Sequence, residues 1–158
     1  MANVIYNKWL EVKEKKQYGW DSGTTIRAML AQATNANAAN KDLATVQDVI
    51  NAGFTELSAS GYSRVTLANK TVTIDAATDK IKCTADSVSF GNIEAGKTVV
   101  AMLLYVRVGA SDNPSADIPV AYIDTLEGPP NSVQFPFDTG AGAVTLVPPS
   151  NLFEVYQP

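Results

Sequence analysis

Thr98-Val-Val-Ala-Met-Leu-Leu-Tyr-Val-Arg-Val108 is the most apolar run of the chain. Nine of its eleven residues are apolar, and four of these are valine. Gly96 and Gly109 bound the run, and a short, β-branched segment of this kind favours a strand buried on both faces over a helix. It is also far too short to cross a bilayer. We therefore predict a central buried strand around which the other segments are arranged.

Short segments of alternating polar and apolar residues lie on both sides of this strand. They recur at intervals of about eight to twelve residues and are separated by polar turns, as in sandwiches and barrels. We predict a mainly β fold, a β-sandwich or jelly-roll-like barrel of about seven to nine mainly antiparallel strands with one or two short helices. Besides the central strand, the residues predicted to face the core are Val65, Leu67, Val72, Ile74, Val88, Phe90 and Phe135.

The chain length of 158 residues fits one domain with short extensions. Residues 1–20 are predicted to form an N-terminal arm or short helix, because apolar residues spaced i, i+4, i+7 favour an amphipathic helix over Ile5–Lys16. Residues 21–149 form the predicted β-sandwich domain. Residues 150–158 form a C-terminal tail.

A second short helix is predicted over Asp42–Ala52, where apolar residues share one face. Asp42 is one candidate for its N-cap. Thr45, with Asp48 three residues further on, is the alternative start. Gly53 is placed to end the helix.

Composition argues against several classes of partner. Only 18% of the residues are charged and the formal net charge is −4, whereas a nucleic-acid surface needs a clustered excess of lysine and arginine. The N-terminus has no basic start followed by a long apolar core, so no signal peptide is expected. We expect neither a nucleic-acid partner nor a membrane partner. We expect the protein to be synthesised in a cytoplasm.

Residues for catalysis are scarce. The chain has no histidine, which removes the commonest catalytic base and metal ligand. The single cysteine, Cys83, allows no internal disulfide and is predicted to be a buried strand residue rather than a nucleophile. We predict no enzyme activity, no cofactor and no metal site. Calcium binding by loop carboxylates stays open as an alternative to ordinary turn chemistry; these are Asp75, Asp79, Asp86, Asp112, Asp117, Asp124 and Glu127.

Three groups of residues are candidates for binding a partner. Tyrosine and arginine are enriched at the anchor positions of protein interfaces, so Tyr62 and Arg64 are candidates. The alternative is an ordinary turn in which Arg64 faces the solvent. The N-terminal segment either docks on a neighbouring subunit or folds onto its own domain. The tail is apolar enough to need a surface. The terminal candidates are Tyr6, Trp9, Leu152, Phe153 and Tyr156.

Three stretches together resemble a family of small virion proteins of tailed bacteriophages, usually described as head decoration, capsid-stabilising or minor structural proteins. They are Tyr6-Asn-Lys8, the block from Thr45 to Gly53 with Glu56 and Gly61-Tyr-Ser-Arg64, and Asp86–Ile93 leading into the central strand. The likeness covers most of residues 1–140. Residues 108–124 depart from the compact form of that family, so the exact position in the virion stays open.

The resemblance implies a non-enzymatic protein located in the virion that decorates or stabilises the capsid, with the major capsid protein or another virion protein as its partner. A homo-oligomer is expected, and the analogy with decoration proteins implies a trimer. Both terminal segments are the expected assembly contacts, and their deletion is expected to leave the domain folded. One alternative is a neck, tail or fibre-attachment component. Another is a carbohydrate-binding β-sandwich module that uses exposed rings such as Trp20 or Tyr122.

Overall fold

The apolar run after Gly96 becomes two strands near the middle of the molecule in a computed structural model of the chain. The structure describes residues 3–21, 23–77, 80–126, 128, 131, 133–140 and 142–149. Within these residues there are two α-helices, α1 Asn7–Glu14 and α2 Val46–Asn51, and a 3₁₀ turn, Ala36–Ala39. The strands are β1 Val4–Ile5, β2 Ile26–Ala33, β3 Thr55–Glu56, β4 Val65–Thr66, β5 Thr71–Asp75, β6 Lys80–Thr84, β7 Val88–Asn92, β8 Thr98–Val99, β9 Ala101–Val106, β10 Ile118–Ile123, β11 Phe137–Asp138 and β12 Ala143–Leu146.

The central sheet has the order β1-β10-β9-β2-β3, and β4 also pairs with β2. Three two-stranded sheets, β8 with β11, β7 with β12 and β5 with β6, complete the strand pairing of the described residues. All of these pairings are antiparallel. The prediction of a mainly β, sandwich-like fold with two short helices is therefore confirmed.

Strand β9 is buried along its whole length, as the apolar run predicts. On one face of the sheet its alternate residues Ala101, Leu103 and Tyr105 belong to a core that includes Val49 and Phe54 from the helical segment. On the other face, Met102, Leu104 and Val106 belong to a larger core with residues of β7 and β12. Helix α2 and the 3₁₀ turn cover one face, and β7, β12 and helix α1 cover the other. Both faces of β9 are therefore covered, which is why its sequence shows no polar side.

Helix α2 starts at the alternative position, Thr45, and not at Asp42. The Thr45 hydroxyl accepts from the backbone N–H of Asp48 at 3.1 Å, and the Asp48 carboxylate accepts from the backbone N–H of Thr45 at 3.0 Å. This reciprocal pair is a capping box. Gly53 follows with a φ of 112°, a left-handed conformation that glycine tolerates and that ends the helix as predicted.

The loop between β9 and β10 is fastened to the same helix. The first two N–H groups of α2 donate to the backbone carbonyls of Asp117 and Pro114, at 2.9 and 2.8 Å. The buried carboxylate of Asp117 accepts from the backbone N–H groups of Val108 and Asn113, at 3.0 and 2.8 Å. These bonds satisfy donors that a helix start leaves unpaired, and they hold the loop in one position.

The predicted core is correct for Leu67, Val88 and Phe90, which are buried. Val65 and Phe135 are only half-buried. The inward orientation predicted for Val72 and Ile74 is wrong, since their side chains are 55% and 78% exposed. The reason is topological, because β5 pairs with no described strand other than β6. No third described strand therefore extends the hairpin, and the β5 part of its apolar face lies at the surface.

Candidate functional site

Tyr62 and Arg64 lie in a polar network beside β2 and β3. Arg64 donates from Nε and Nη2 to the two carboxylate oxygens of Glu56, at 2.8 and 2.7 Å. The Tyr62 hydroxyl donates to Glu56 Oε1 at 3.0 Å and accepts from the backbone N–H of Leu30 at 3.0 Å. Both side chains are therefore held by strands of their own chain.

The carboxylate of Asp112 extends this network to the loop after β9. Arg27 donates to Asp112 Oδ2 and, from Nη2, to the backbone carbonyl of Arg64 at 2.7 Å. The Tyr105 hydroxyl donates to Asp112 Oδ1 at 2.9 Å, and the Arg64 guanidinium carbon lies 5.5 Å from the Tyr105 ring centroid. The sequence signal for this cluster was Arg27 among the apolar residues at the start of β2, but Asp112 is 85 residues away along the chain.

Two arginines and two carboxylates balance one another in the network. Burial acts to raise the pKa of Asp112, but hydrogen bonds from Arg27 and Tyr105 and the charges of both arginines outweigh it and hold that pKa below its usual value. The hydrogen bond to Glu56 raises the pKa of Arg64. Burial raises the pKa of Tyr105 to about 12. The ion pairs are thus formed at neutral pH, and they fasten the loop that carries Asp112 to the sheet.

The solvent-exposed alternative predicted for Arg64 is wrong, because its side chain is only 17% exposed. Tyr62 is half-buried and stacks on Phe90 with the ring centroids 6.2 Å apart. The described contacts of both residues are internal to the chain. That Tyr62 and Arg64 bind a partner stays a prediction. A partner could contact only the parts of these side chains that remain exposed.

The N-terminal candidates lie inside the domain. Tyr6 and Trp9 are fully buried, and the Tyr6 hydroxyl donates to the carbonyl of Ala38 at 2.6 Å. Burial raises the pKa of Tyr6, with a smaller contribution from Tyr122. Of the two predicted alternatives, the segment takes the one in which it folds onto its own domain. Leu152, Phe153 and Tyr156 lie outside the described residues.

A cleft of about 520 Å³ lies between the segment after α1 and the β5–β6 hairpin. One wall carries the side chains of Lys13, Lys16 and Trp20, and the other carries those of Val72, Ile81 and Cys83. The first wall also carries Asp21, so its two lysines and one aspartate give it a net formal charge of +1, and the other wall is apolar.

The apolar wall continues outward along the hairpin. In the register of β5 and β6, Val72 is opposite Cys83 and Ile74 is opposite Ile81. Directly opposed residues of an antiparallel pair point to the same side, so these four share one face. Exposure along this face increases outward on β5, from Val72 at 55% to Ile74 at 78%. Sequence alternation correctly identified an amphipathic strand but assigned its apolar face to the core.

Cys83 is a buried strand residue, as predicted. Burial raises the pKa of its thiol, and the charge of Lys13 offsets part of that effect. Among the described residues, no three cysteine or acidic side chains are grouped so that they could hold a metal ion. Several of these carboxylates form hydrogen bonds or ion pairs with other side chains instead; Asp75, for example, pairs with Lys82 at 2.7 Å. Asp79 and Glu127 fall outside the described part of the chain.

The two rings named for a carbohydrate platform are not available on the surface. Trp20 is 7% exposed and donates from its indole N–H to the carbonyl of Thr84 at 2.8 Å. Tyr122 is fully buried. Neither ring presents a face on which a sugar could stack.

Comparison of the chain with family models, with curated proteins and with solved structures finds no match. Within the described ranges, no helix has the length and apolar character that spanning a membrane requires. The features on which a function can be proposed are therefore the chain's own, namely the cleft and the exposed apolar face of the hairpin.

Proposed function

We propose that this chain is a non-enzymatic structural protein of a tailed-bacteriophage virion, where it decorates or stabilises the capsid as a homo-oligomer. The proposal places the protein in the virion with the major capsid protein as its partner. Two independent supports are the resemblance of its sequence to small virion proteins and the exposed apolar face of the β5–β6 hairpin.

The hairpin is the observation that carries an assembly role. Exposed β-branched side chains on one face of a two-stranded hairpin favour a covering surface. Val72 and Ile74 are such side chains, whereas the opposite face carries the exposed Thr71 and Thr73. A face with this polarity suits contact with another protein better than it suits solvent.

The direct test is to locate the protein in particles of the phage that encodes it. Purified heads made without the protein would be mixed with the purified protein, and the bound fraction measured by cosedimentation and cryo-electron microscopy. Binding at regular positions on the shell supports a decorating or stabilising role. Binding at the neck or tail supports the alternative virion position. No binding to any particle part, together with absence from wild-type virions by mass spectrometry, overturns the proposal.

A further inference from the structure

We propose that the cleft between the segment after α1 and the β5–β6 hairpin binds residues 150–158 of a neighbouring copy of this chain. This inference rests on the proposed assembly role for one expectation only, which is that copies of the protein meet. The inference identifies the two surfaces through which two copies would bind each other, namely the cleft of one copy and residues 150–158 of the other. Both surfaces can be tested in the absence of a virion.

The apolar wall of the cleft matches the pattern of the tail. The nine residues are Ser-Asn-Leu-Phe-Glu-Val-Tyr-Gln-Pro. In an extended chain, Phe153 and Val155 point to one side and Glu154 to the other. Phe153 and Val155 would cover Val72 and Ile74, whose exposed faces lie on one side of the hairpin.

The other wall supplies complementary charge. Lys8 and Lys15 both pair with Glu11, whereas Lys13 and Lys16 form no ion pair with the described residues. The one acidic side chain lining the cleft, that of Asp21, accepts the backbone N–H groups of Gly23 and Thr24. Two lysines and one aspartate still give this wall a net formal charge of +1, which attracts Glu154, the only charged residue in the tail.

The reach of the tail allows the contact to be made between copies. Nine extended residues span about 30 Å, which is enough to cross from one small domain to the next. A tail on one surface and a cleft on another form a head-to-tail contact, which closes into a ring when the rotation between copies permits it. The predicted homo-oligomer is of this closed type.

The experiment uses full-length chains and measures mass by light scattering and sedimentation velocity. Ile74→Asp places a charge on the apolar face, and Phe153→Asp does the same on the tail. Each is expected to weaken self-association at least about tenfold, because a large apolar side chain loses its burial. Thr73→Asp puts the same charge on the opposite, polar face of the hairpin and is expected to keep the wild-type mass.

Mixing the two defective chains distinguishes exchange between copies from a tail folded back onto its own chain. The Ile74→Asp chain retains an intact tail, and the Phe153→Asp chain retains an intact cleft. One functional contact remains possible between them, so the mixture is expected to form a dimer at concentrations at which each chain alone is monomeric. A mixture that stays monomeric overturns the proposal.

A charge reversal tests the cationic wall. Lys16→Glu and Glu154→Lys are each expected to weaken association about threefold to tenfold, and the double variant is expected to recover most of the loss. A monomeric wild-type protein, wild-type mass in the Ile74→Asp or Phe153→Asp chain, or a double variant no better than the single ones each contradicts the inference. Because these measurements contain no particles, their failure leaves the proposed virion location untouched.

Discussion

Gly61 lies where the turn before β4 crosses β7 at very short range. Its φ is 78°, and a Cβ atom added to it would lie 2.0 Å from the carbonyl oxygen of Asn92. The same crossing constrains Gly91, where an added Cβ would lie 2.7 Å from the carbonyl oxygen of Gly61. Two glycines therefore allow two backbone segments to touch, and the turn they create positions Tyr62 and Arg64.

Gly61→Ala is expected to lower the free energy of unfolding by at least about 2 kcal/mol, because it combines backbone strain with a clash against main chain. Urea unfolding followed by circular dichroism measures the loss. Gly96→Ala is the matched control, since Gly96 has a φ of 80° but no atom within 4 Å of an added Cβ. It should lose only about 1 kcal/mol. Equal losses in the two variants would show that the crossing is not close-packed.

Asp112→Asn removes the charge that joins the loop after β9 to Arg27 and Arg64. The pKa of Asp112 is depressed in the folded state. Its stabilising effect is therefore complete above the unfolded-state pKa of about 3.9 and is lost as the pH falls through the folded-state value. At pH 7 the variant is expected to be about 1–2 kcal/mol less stable than the wild type.

The difference between the two proteins should narrow as the pH falls below about 4. Urea unfolding at a series of pH values measures it. Asp86→Asn, at an exposed aspartate, controls for the general effect of removing one negative charge. A gap between wild type and Asp112→Asn that does not change with pH would contradict an electrostatic role.

Among the elements, α2 is too short to be stable by itself. It has six residues, and isolated helices below about 12 residues are marginal in water. Its order comes from the capping box at Thr45, from the carbonyls of the loop before β10 and from burial of Val46 and Val49. Local sequence and tertiary contacts are both needed at this element.

Thr45→Ala is expected to lower the free energy of unfolding by about 1 kcal/mol, because the N–H of Asp48 loses its side-chain acceptor. Thermal and urea unfolding measure the change. Thr45→Ser keeps the hydroxyl and should stay within about 0.5 kcal/mol of the wild type. If serine is as damaging as alanine, the methyl group and not the cap is the important contact.

For the molecule as a whole, the first residues are structural. Strand β1 pairs with β10 through Val4 and Ile5, and Tyr6 and Trp9 are fully buried in the two cores. The expectation that the domain stays folded without its N-terminal segment is therefore revised. The tail lies outside the described residues, and its role in assembly stays a prediction.

Deleting residues 1–9 is expected to abolish cooperative folding. Each large buried aromatic contributes about 3–5 kcal/mol, and the total stability of a domain is about 5–15 kcal/mol. Deleting residues 150–158 is expected to leave a folded domain with weaker self-association. Circular dichroism melts and light scattering of both variants measure these outcomes. A wild-type melting temperature after the N-terminal deletion would contradict the assignment of Tyr6 and Trp9 to the core.

Sequence patterns among neighbouring residues were sufficient to predict much of the secondary structure. The unbroken apolar run identified β9 as a strand covered on both faces, since no polar side remained for solvent. Alternation identified β7 through Val88 and Phe90, and the spacing of Thr45 and Asp48 gave the true start of α2 as one of two alternatives. These features depend on periods of two and 3.6 residues, which local sequence encodes directly.

Tertiary structure alone decided which apolar faces are buried. The alternation in β5 resembles that of a core strand, yet among the described strands β5 pairs only with β6, and Ile74 is exposed. Tyr6 and Trp9 resemble surface anchors, yet β1 joins the sheet and buries them. Asp112 reaches Arg27 only because the loop after β9 folds back over β2. Burial depends on which distant segments meet, and the sequence of one segment carries no record of its neighbours in space.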